Sequence, residues 1–255
     1  GRMETGSKVV DLLVSSDTRL AIGISKEINN FNIERRSVDR IITTEAMRMI
    51  AEDQRTVNSR TTVLYNPTWK KGVIGIVASR LIETYYRPTV ILTESNGYAT
   101  GSARSVQGYD LYQAIEACSD LLESFGGHMY AAGLTLKKEN IRPFMERFEK
   151  YVNSTITEEQ LVPRIFIDTA LSFSEINEEF FRTMSQFQPF GPENMSPVFL
   201  SRNVFDTGSG RMVGSSGEHL KLDLCQESTG QKNFSAIAFS QANHFEYIRG
   251  GNPFD

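Results

Sequence analysis

The stretch that most constrains this chain is Phe125-Gly126-Gly127-His128-Met129-Tyr130-Ala131-Ala132-Gly133-Leu134. Adjacent glycines take positive φ at little cost and let the backbone approach a ligand, so consecutive amide N–H groups can converge on an anion. His128, one of three histidines, follows at once. An imidazole beside such a nest suits a phosphate oxygen. Ala131, Ala132 and Gly133 carry no bulk that would stop an element packing behind them. Taken alone, the motif is short and reads more simply as a tight turn with a hydrogen-bonded core histidine.

Two further segments shift that balance. Gly101-Ser102-Ala103-Arg104-Ser105 follows the β-forming run Pro88-Thr89-Val90-Ile91-Leu92 and precedes Asp110, which has the character of a helix N-cap. Small residues flank one arginine there, and Ser102 and Ser105 add hydroxyl donors to a guanidinium suited to bidentate phosphate contact. The plainer alternative is a surface arginine on a strand. Upstream, Val73, Ile76, Val77, Ala78 and Leu81 fall at helical spacing behind Gly72 and Gly75. That predicts a buried helix entered through a glycine turn, with an anion-binding N-terminus. Lys70 and Lys71 stand just before it, and Trp69 reads as a core or hinge residue rather than a stacking platform.

Together these segments resemble the DHH-associated domain of the RecJ family, whose Trp-His-x-Gly-Val-Ile-Gly-Ile-Val-Ala-Ser-Arg, Gly-Ser-x-Arg-Ser and Gly-Gly-His-x-x-Ala-Ala-Gly segments occur in this order. Here they are residues 69–80, 101–105 and 126–133, with Lys70 where the family usually has histidine. Lysine keeps a cation near phosphate but removes a proton-transfer role at that position. Residues 189–199, Pro-Phe-Gly-Pro-Glu-Asn-Met-Ser-Pro-Val-Phe, resemble the segment that opens the family's OB-like domain. Gly1-Arg2-Met3 resembles the end of the segment that closes its catalytic domain, so the resemblance implies one piece of a larger enzyme.

The expected fold class is α/β (α+β) in three parts. Residues 1–57 form a helical connector, 58–156 a DHH-associated domain with a central mixed sheet, and 157–255 an incomplete, β-rich OB-like domain. In the connector, apolar residues recur from Val9 to Leu13 and again from Ala21 to Ile50, with Ser15, Ser16 and Asp17 marking a break and a new N-cap. The charges of Asn32-Ile33-Glu34-Arg35-Arg36 make a solvated face. Glu139 to Val152 reads as a helix with Ile141, Phe144, Phe148 and Tyr151 on its core side. In the last third, a β-rich unit begins at Arg164 to Asp168, a helix runs from Asn177 to Phe187, and Val198 to Phe205, Leu220 to Cys225 and Phe234 to Phe239 alternate like strands.

Charge becomes informative when divided. Residues 1–57 hold nine basic and nine acidic residues, 58–156 eleven and nine, and 157–255 seven and thirteen. A net charge of −4 argues against broad basic wrapping of a duplex but permits a narrow groove with a few placed cations. No stretch is long and apolar enough to span a membrane and no signal segment opens the chain, so a cytoplasmic location is expected. Cys118 and Cys225 lie in apolar surroundings far apart in sequence, which suits buried, reduced thiols rather than metal ligands.

Members of the superfamily hydrolyse phosphodiesters with two divalent cations held in an N-terminal DHH domain. This sequence has no His-His pair and no Asp-x-Asp, so Mn2+ or Mg2+ is expected in that missing domain and no cofactor here. The resemblance therefore implies the substrate-gripping part of a 5′-to-3′ single-stranded-DNA exonuclease of DNA repair and recombination. The expected partners are single-stranded DNA and the DHH domain of the same polypeptide. Arg104, Ser102, Ser105, Gly126, Gly127 and His128 would hold phosphate, with Lys70 and Lys71 as helpers, and no residue here would be catalytic. Two alternatives stand beside it: a phosphodiesterase of the same superfamily acting on oligonucleotides or cyclic dinucleotides, and a non-catalytic nucleic-acid-binding scaffold.

Overall fold

The computed structural model describes residues 3, 6–191, 193–226 and 233–255. Gly1 and Arg2 of the opening segment and Pro192 of the Pro-Phe-Gly-Pro segment lie outside them. The chain divides into two compact units, Gly1–Pro163 and Arg164–Asp255.

The first unit begins with α1 (Ser7–Val14) and the 35-residue α2 (Thr18–Glu52). The expected break is present. Asp17 caps α2, its carboxylate accepting from the amides of Arg19 at 2.8 Å and Leu20 at 3.3 Å. The apolar stripe, however, is buried only in its last three turns, at Ile42, Ala46 and Ile50. Leu13 of α1 is 78% exposed and Ile41, beside the buried Ile42, 63%, because spacing alone says neither which helix nor which of two adjacent apolar residues meets a core. A short α3 (Gln54–Asn58) follows, capped by Asp53.

Five strands then form one mixed sheet: β1 (Thr62–Tyr65), β2 (Thr89–Ser95), β3 (Tyr98–Arg104), β4 (Leu122–His128) and β5 (Ala131–Leu136), in the order β1-β2-β3-β5-β4. β1 and β2 are parallel, joined through α4 (Ile74–Tyr85), and the other pairings are antiparallel. Side chains alternate between faces along each strand. Val63, Val90, Leu92, Ala103, Leu134 and Leu136 face one core, closed by α5 (Leu111–Glu116) and by Phe144, Phe148 and Val152 of α6 (Ile141–Thr155). Leu64 and Ile91 face a second core with Val77, Ala78 and Leu81 of α4 and Ile42, Ala46 and Ile50 of α2. Cys118 is buried in the first core as a free thiol, and burial pushes its pKa up to about 11. Cys225 is free and only half-buried.

The glycine pair needs correction. Gly126 and Gly127 are neither a turn nor a nest of converging amides: both lie within β4, paired with Gly133 and Ala132 of β5. The turn falls one step later, at Met129 and Tyr130. Gly127 sits at φ +154, and a Cβ there would come 2.3 Å from the Ala131 carbonyl oxygen and 2.6 Å from Ala132 Cα. Close strand packing, not anion binding, demands that glycine. His128 is exposed, so the core-histidine alternative is also set aside.

The second unit holds β6 (Thr169–Ala170) paired in parallel with β7 (Phe199–Leu200), and α7 (Glu178–Ser185) capped by Asn177. A four-stranded antiparallel sheet follows, with β10 (His219–Gln226) pairing β8 (Val204–Asp206), β9 (Arg211–Val213) and β11 (Phe234–Ala238). Leu220 and Leu222 pack with Ile248 of α8 (Phe245–Arg249) beneath it. The strand expected over Val198 to Phe205 is two strands, because Asn203 takes φ +53 and breaks the run. Ile165, Phe166 and Ile167, expected to begin the β-rich unit, precede its first strand and are exposed.

Candidate nucleic-acid interface

Directly opposed residues in antiparallel strands project to the same face. β3, β5 and β4 therefore present three aligned rows: Arg104, Ala131 and His128; Ser102, Gly133 and Gly126; and Thr100, Thr135 and Ser124. This is the face on which α4 packs, over β2 and the neighbouring part of β3. Beyond α4 the large apolar side chains stop and glycine, alanine and hydroxyl groups take their place. Gly126, Gly133, Ser124 and His128 are exposed, whereas Ala132 and Leu134, on the opposite face, are buried. The result is a low, polar floor with a guanidinium on one side and an imidazole on the other, their backbones ~10 Å apart across two strand spacings.

Each side chain is held by its neighbours. Arg104 Nη1 donates to Ser102 Oγ at 3.1 Å and to the Ala103 carbonyl at 2.7 Å. A Cβ on Gly75, in the first turn of α4, would lie 2.9 Å from Ser102 Oγ and 3.0 Å from Arg104 Nη2. That glycine lets the helix start settle directly on the arginine and serine. His128 Nδ1 accepts from the Tyr130 amide at 3.2 Å, which puts the proton of the neutral ring on Nε2 as a donor. The exposed imidazole is thus pre-oriented to give a hydrogen bond.

The remaining expected residues divide. Ser105 donates its hydroxyl to the Tyr109 carbonyl at 2.8 Å, and its amide bonds Tyr130 O at 3.0 Å, so it shapes the loop after β3. Lys70 pairs with Glu34 of α2 at 2.8 Å, and Lys71 is exposed beside it. Glu34 thus does more than make a solvated face. Trp69 is 4% exposed and belongs to the core. Sequence reasoning does not bring Gly75, Gly133 or the Thr100–Thr135–Ser124 row into the site. Alternation along β3 is the signal for Thr100, but only the cross-strand register brings Thr135 and Ser124 beside it. Among the described residues, no group of three or more His, Cys, Asp or Glu side chains could hold a metal ion. Among them, too, no helix is long and apolar enough to cross a membrane.

Residues 58–154 match the DHHA1 domain model and residues 167–255 the RecJ OB domain model. The single-stranded-DNA-specific exonuclease RecJ of Bacillus subtilis (strain 168) is 35% identical over 254 residues, covering 99% of this chain and 32% of that protein. The protein of the same description from Haemophilus influenzae is 29% identical over 94% of this chain and 42% of its own length. The chain thus spans about a third to two fifths of these relatives. The crystal structure of RecJ in complex with Mg2+ from Thermus thermophilus superposes with a TM-score of 0.71 at 25% identity, over 93% of this chain and 35% of that one. A second, in complex with Mn2+, has a TM-score of 0.70 at 22% identity, over 94% and 38%. Two adjacent domain models, a relative matched along almost the whole chain and a shared fold agree: the chain belongs to the RecJ family and carries its DHHA1 and OB domains.

Proposed function

We propose that this chain is the substrate-gripping part of a RecJ-like exonuclease that removes nucleotides from the 5′ end of single-stranded DNA. The observation that carries the reading is the register that sets Arg104, Ser102 and His128 on one open face over a floor of glycine and alanine. A phosphodiester lying on that floor meets the guanidinium fork, the Ser102 hydroxyl and the His128 Nε2–H with no side chain in its way. These groups orient the strand and stabilise charge on the phosphate. Mg2+ and Mn2+ accompany the Thermus structures, but the described residues here do not fit a divalent-metal site, so no bond-breaking step is assigned to them. The metal ions would belong to a DHH domain of the same polypeptide.

Selectivity follows from composition. With few cations the grip is a narrow track, and a flexible strand can settle its phosphates and bases separately where a duplex cannot. The RecJ OB match over residues 167–255 favours this reading over an oligonucleotide or cyclic-dinucleotide phosphodiesterase and over a scaffold. Fluorescence anisotropy of the 255-residue chain with a labelled oligothymidylate tests it. Binding is expected to be weak, salt-sensitive, lost in Arg104→Ala and absent for blunt duplex, with no cleavage on adding Mn2+. Equal affinity for duplex, or binding indifferent to Arg104, overturns the reading.

A further inference from the structure

Three carboxylates of α2 reach the loop and helix beside the phosphate-gripping face: Glu34 pairs with Lys70, Asp39 with Arg80 of α4, and Glu45 takes both ends of the loop. Glu45 Oε2 accepts from Trp69 Nε1 at 2.8 Å, and its Oε1 accepts from Asn66 Nδ2 at 2.9 Å. Asn66 spends its own side-chain oxygen inside the loop, on the Thr68 amide at 2.9 Å and the Thr68 hydroxyl at 2.8 Å. Trp69 offers its carbonyl to Thr93 Oγ1 at 2.6 Å, and Thr93 pairs directly with Thr100 of the open face. Five residues beyond Trp69 the chain enters α4, whose Gly75 rests on Ser102 and Arg104.

We propose that Glu45 is a positioning residue: it holds the 66–73 loop, and through it Lys70, Lys71 and the start of α4, in register with Arg104 and Ser102. The inference rests on the phosphate-grip reading above. Both oxygens of Glu45 take protein donors that anchor opposite ends of one short turn. Charge-assisted bonds of this kind are shorter and stronger than neutral ones. Three turns earlier on α2, Glu34 takes Lys70 of the same loop. Glu45 touches no group expected to meet the DNA, so its influence runs through the loop.

The test exploits the direction of each hydrogen bond. Glu45→Gln keeps an oxygen for Trp69 but turns an NH2 toward the NH2 of Asn66, and Asn66→Asp sets two carboxylates against each other. The double variant restores a donor facing an acceptor, and the new carboxylate at position 66 can still serve Thr68. Trp69 is the chain's single tryptophan, so its emission reports the loop without a label. Each single variant is expected to shift the emission to longer wavelength and weaken oligothymidylate binding about three- to tenfold at a temperature well below melting, and the double variant to recover both. Unchanged emission in Glu45→Gln overturns the proposal, as does shifted emission with unchanged affinity, or no recovery in the double variant. Wild-type chain that binds no oligonucleotide while the emission shifts and recovers overturns the phosphate-grip reading, and the positioning role with it.

Discussion

The two faces of the five-stranded sheet are made by the same strands and obey different rules. On one face Val90, Leu92, Ala103, Leu134 and Leu136 interlock with α5 and α6, and each is 3% exposed or less. On the other, β1 and β2 are covered by α2 and α4, while β3, β5 and β4 carry Thr, Ser, Gly and Ala with Arg104 and His128. Alternation guarantees the division. Along β3 and β5 one residue of each successive pair is committed to burial and the other is released for chemistry. The proposed binding face is therefore supported by a core one backbone away, which fixes its rows from the side opposite to the one a strand would occupy.

The first way to break this comparison is to attack the supporting face. Phe148 is fully buried and stacks on Phe144 with ring centroids 5.5 Å apart. Phe148→Ala is expected to cost about 3 to 5 kcal/mol of stability, read by denaturant unfolding, while leaving affinity per folded molecule unchanged. A loss of affinity in the fraction that remains folded would mean that the two faces are not separable.

Arg104→Ala attacks the other face. In the full-length polypeptide, turnover at saturating metal is expected to fall by roughly ten- to a thousandfold, as when a donor to developing charge is removed. Stability is expected to fall by about 1 kcal/mol, because the half-buried guanidinium gives up its bonds to Ser102 and the Ala103 carbonyl. The same pair of measurements on His128→Ala decides whether its Nε2–H serves the ligand or only the hairpin. A melting point that drops with turnover intact removes His128 from the site.

How far this division is legible in the sequence varies along the chain. The strand-helix-strand unit at 61–95, the Asp17 and Asp110 caps and the aromatic face of α6 carry strong local signals, since period, capping and β-propensity all act over a few residues. Arg104, Ser102 and His128 are visible as residues suited to phosphate. Their shared face is not, because it depends on β3 pairing with β5 across the α5 segment and the whole of β4. The glycines mislead for the same reason. A Gly-Gly pair announces conformational freedom but does not say whether a ligand or a neighbouring strand requires it. Glu45 is unreadable, being one acid among many on a long helix, more than twenty residues from the loop it holds.

That ambiguity gives a sharper test in two adjacent residues. Gly127→Ala places a methyl against the backbone of β5 at φ +154, and is expected to cost about 1 to 3 kcal/mol through strain and overlap. Gly126→Ala meets nothing within 4 Å, so its stability is expected to change by less than about 0.5 kcal/mol. Its methyl nevertheless rises from the floor in the row next to His128, across Gly133 from Ser102, and is expected to weaken oligonucleotide binding. Melting curves and anisotropy on the two variants separate the roles. Should Gly126→Ala bind as well as wild type, the phosphate does not lie on this floor.

The smallest expected effect distinguishes the two lysines. Each cation that neutralises a phosphate of a single strand adds about 0.7 to the slope of log affinity against log salt. Lys71 is exposed and has no ion pair among the described residues, so Lys71→Ala is expected to reduce the slope by about that amount. Lys70 already pairs with Glu34 at 2.8 Å, both side chains being about half exposed. It must surrender that partner to take a phosphate, and Glu34 then stands as an uncompensated acid beside the strand. Lys70→Ala is therefore expected to change the slope less than Lys71→Ala does, and Glu34→Gln to strengthen binding slightly by releasing the lysine. Equal slope changes for the two lysines would show that Glu34 gives way readily and that the loop presents both cations to the DNA.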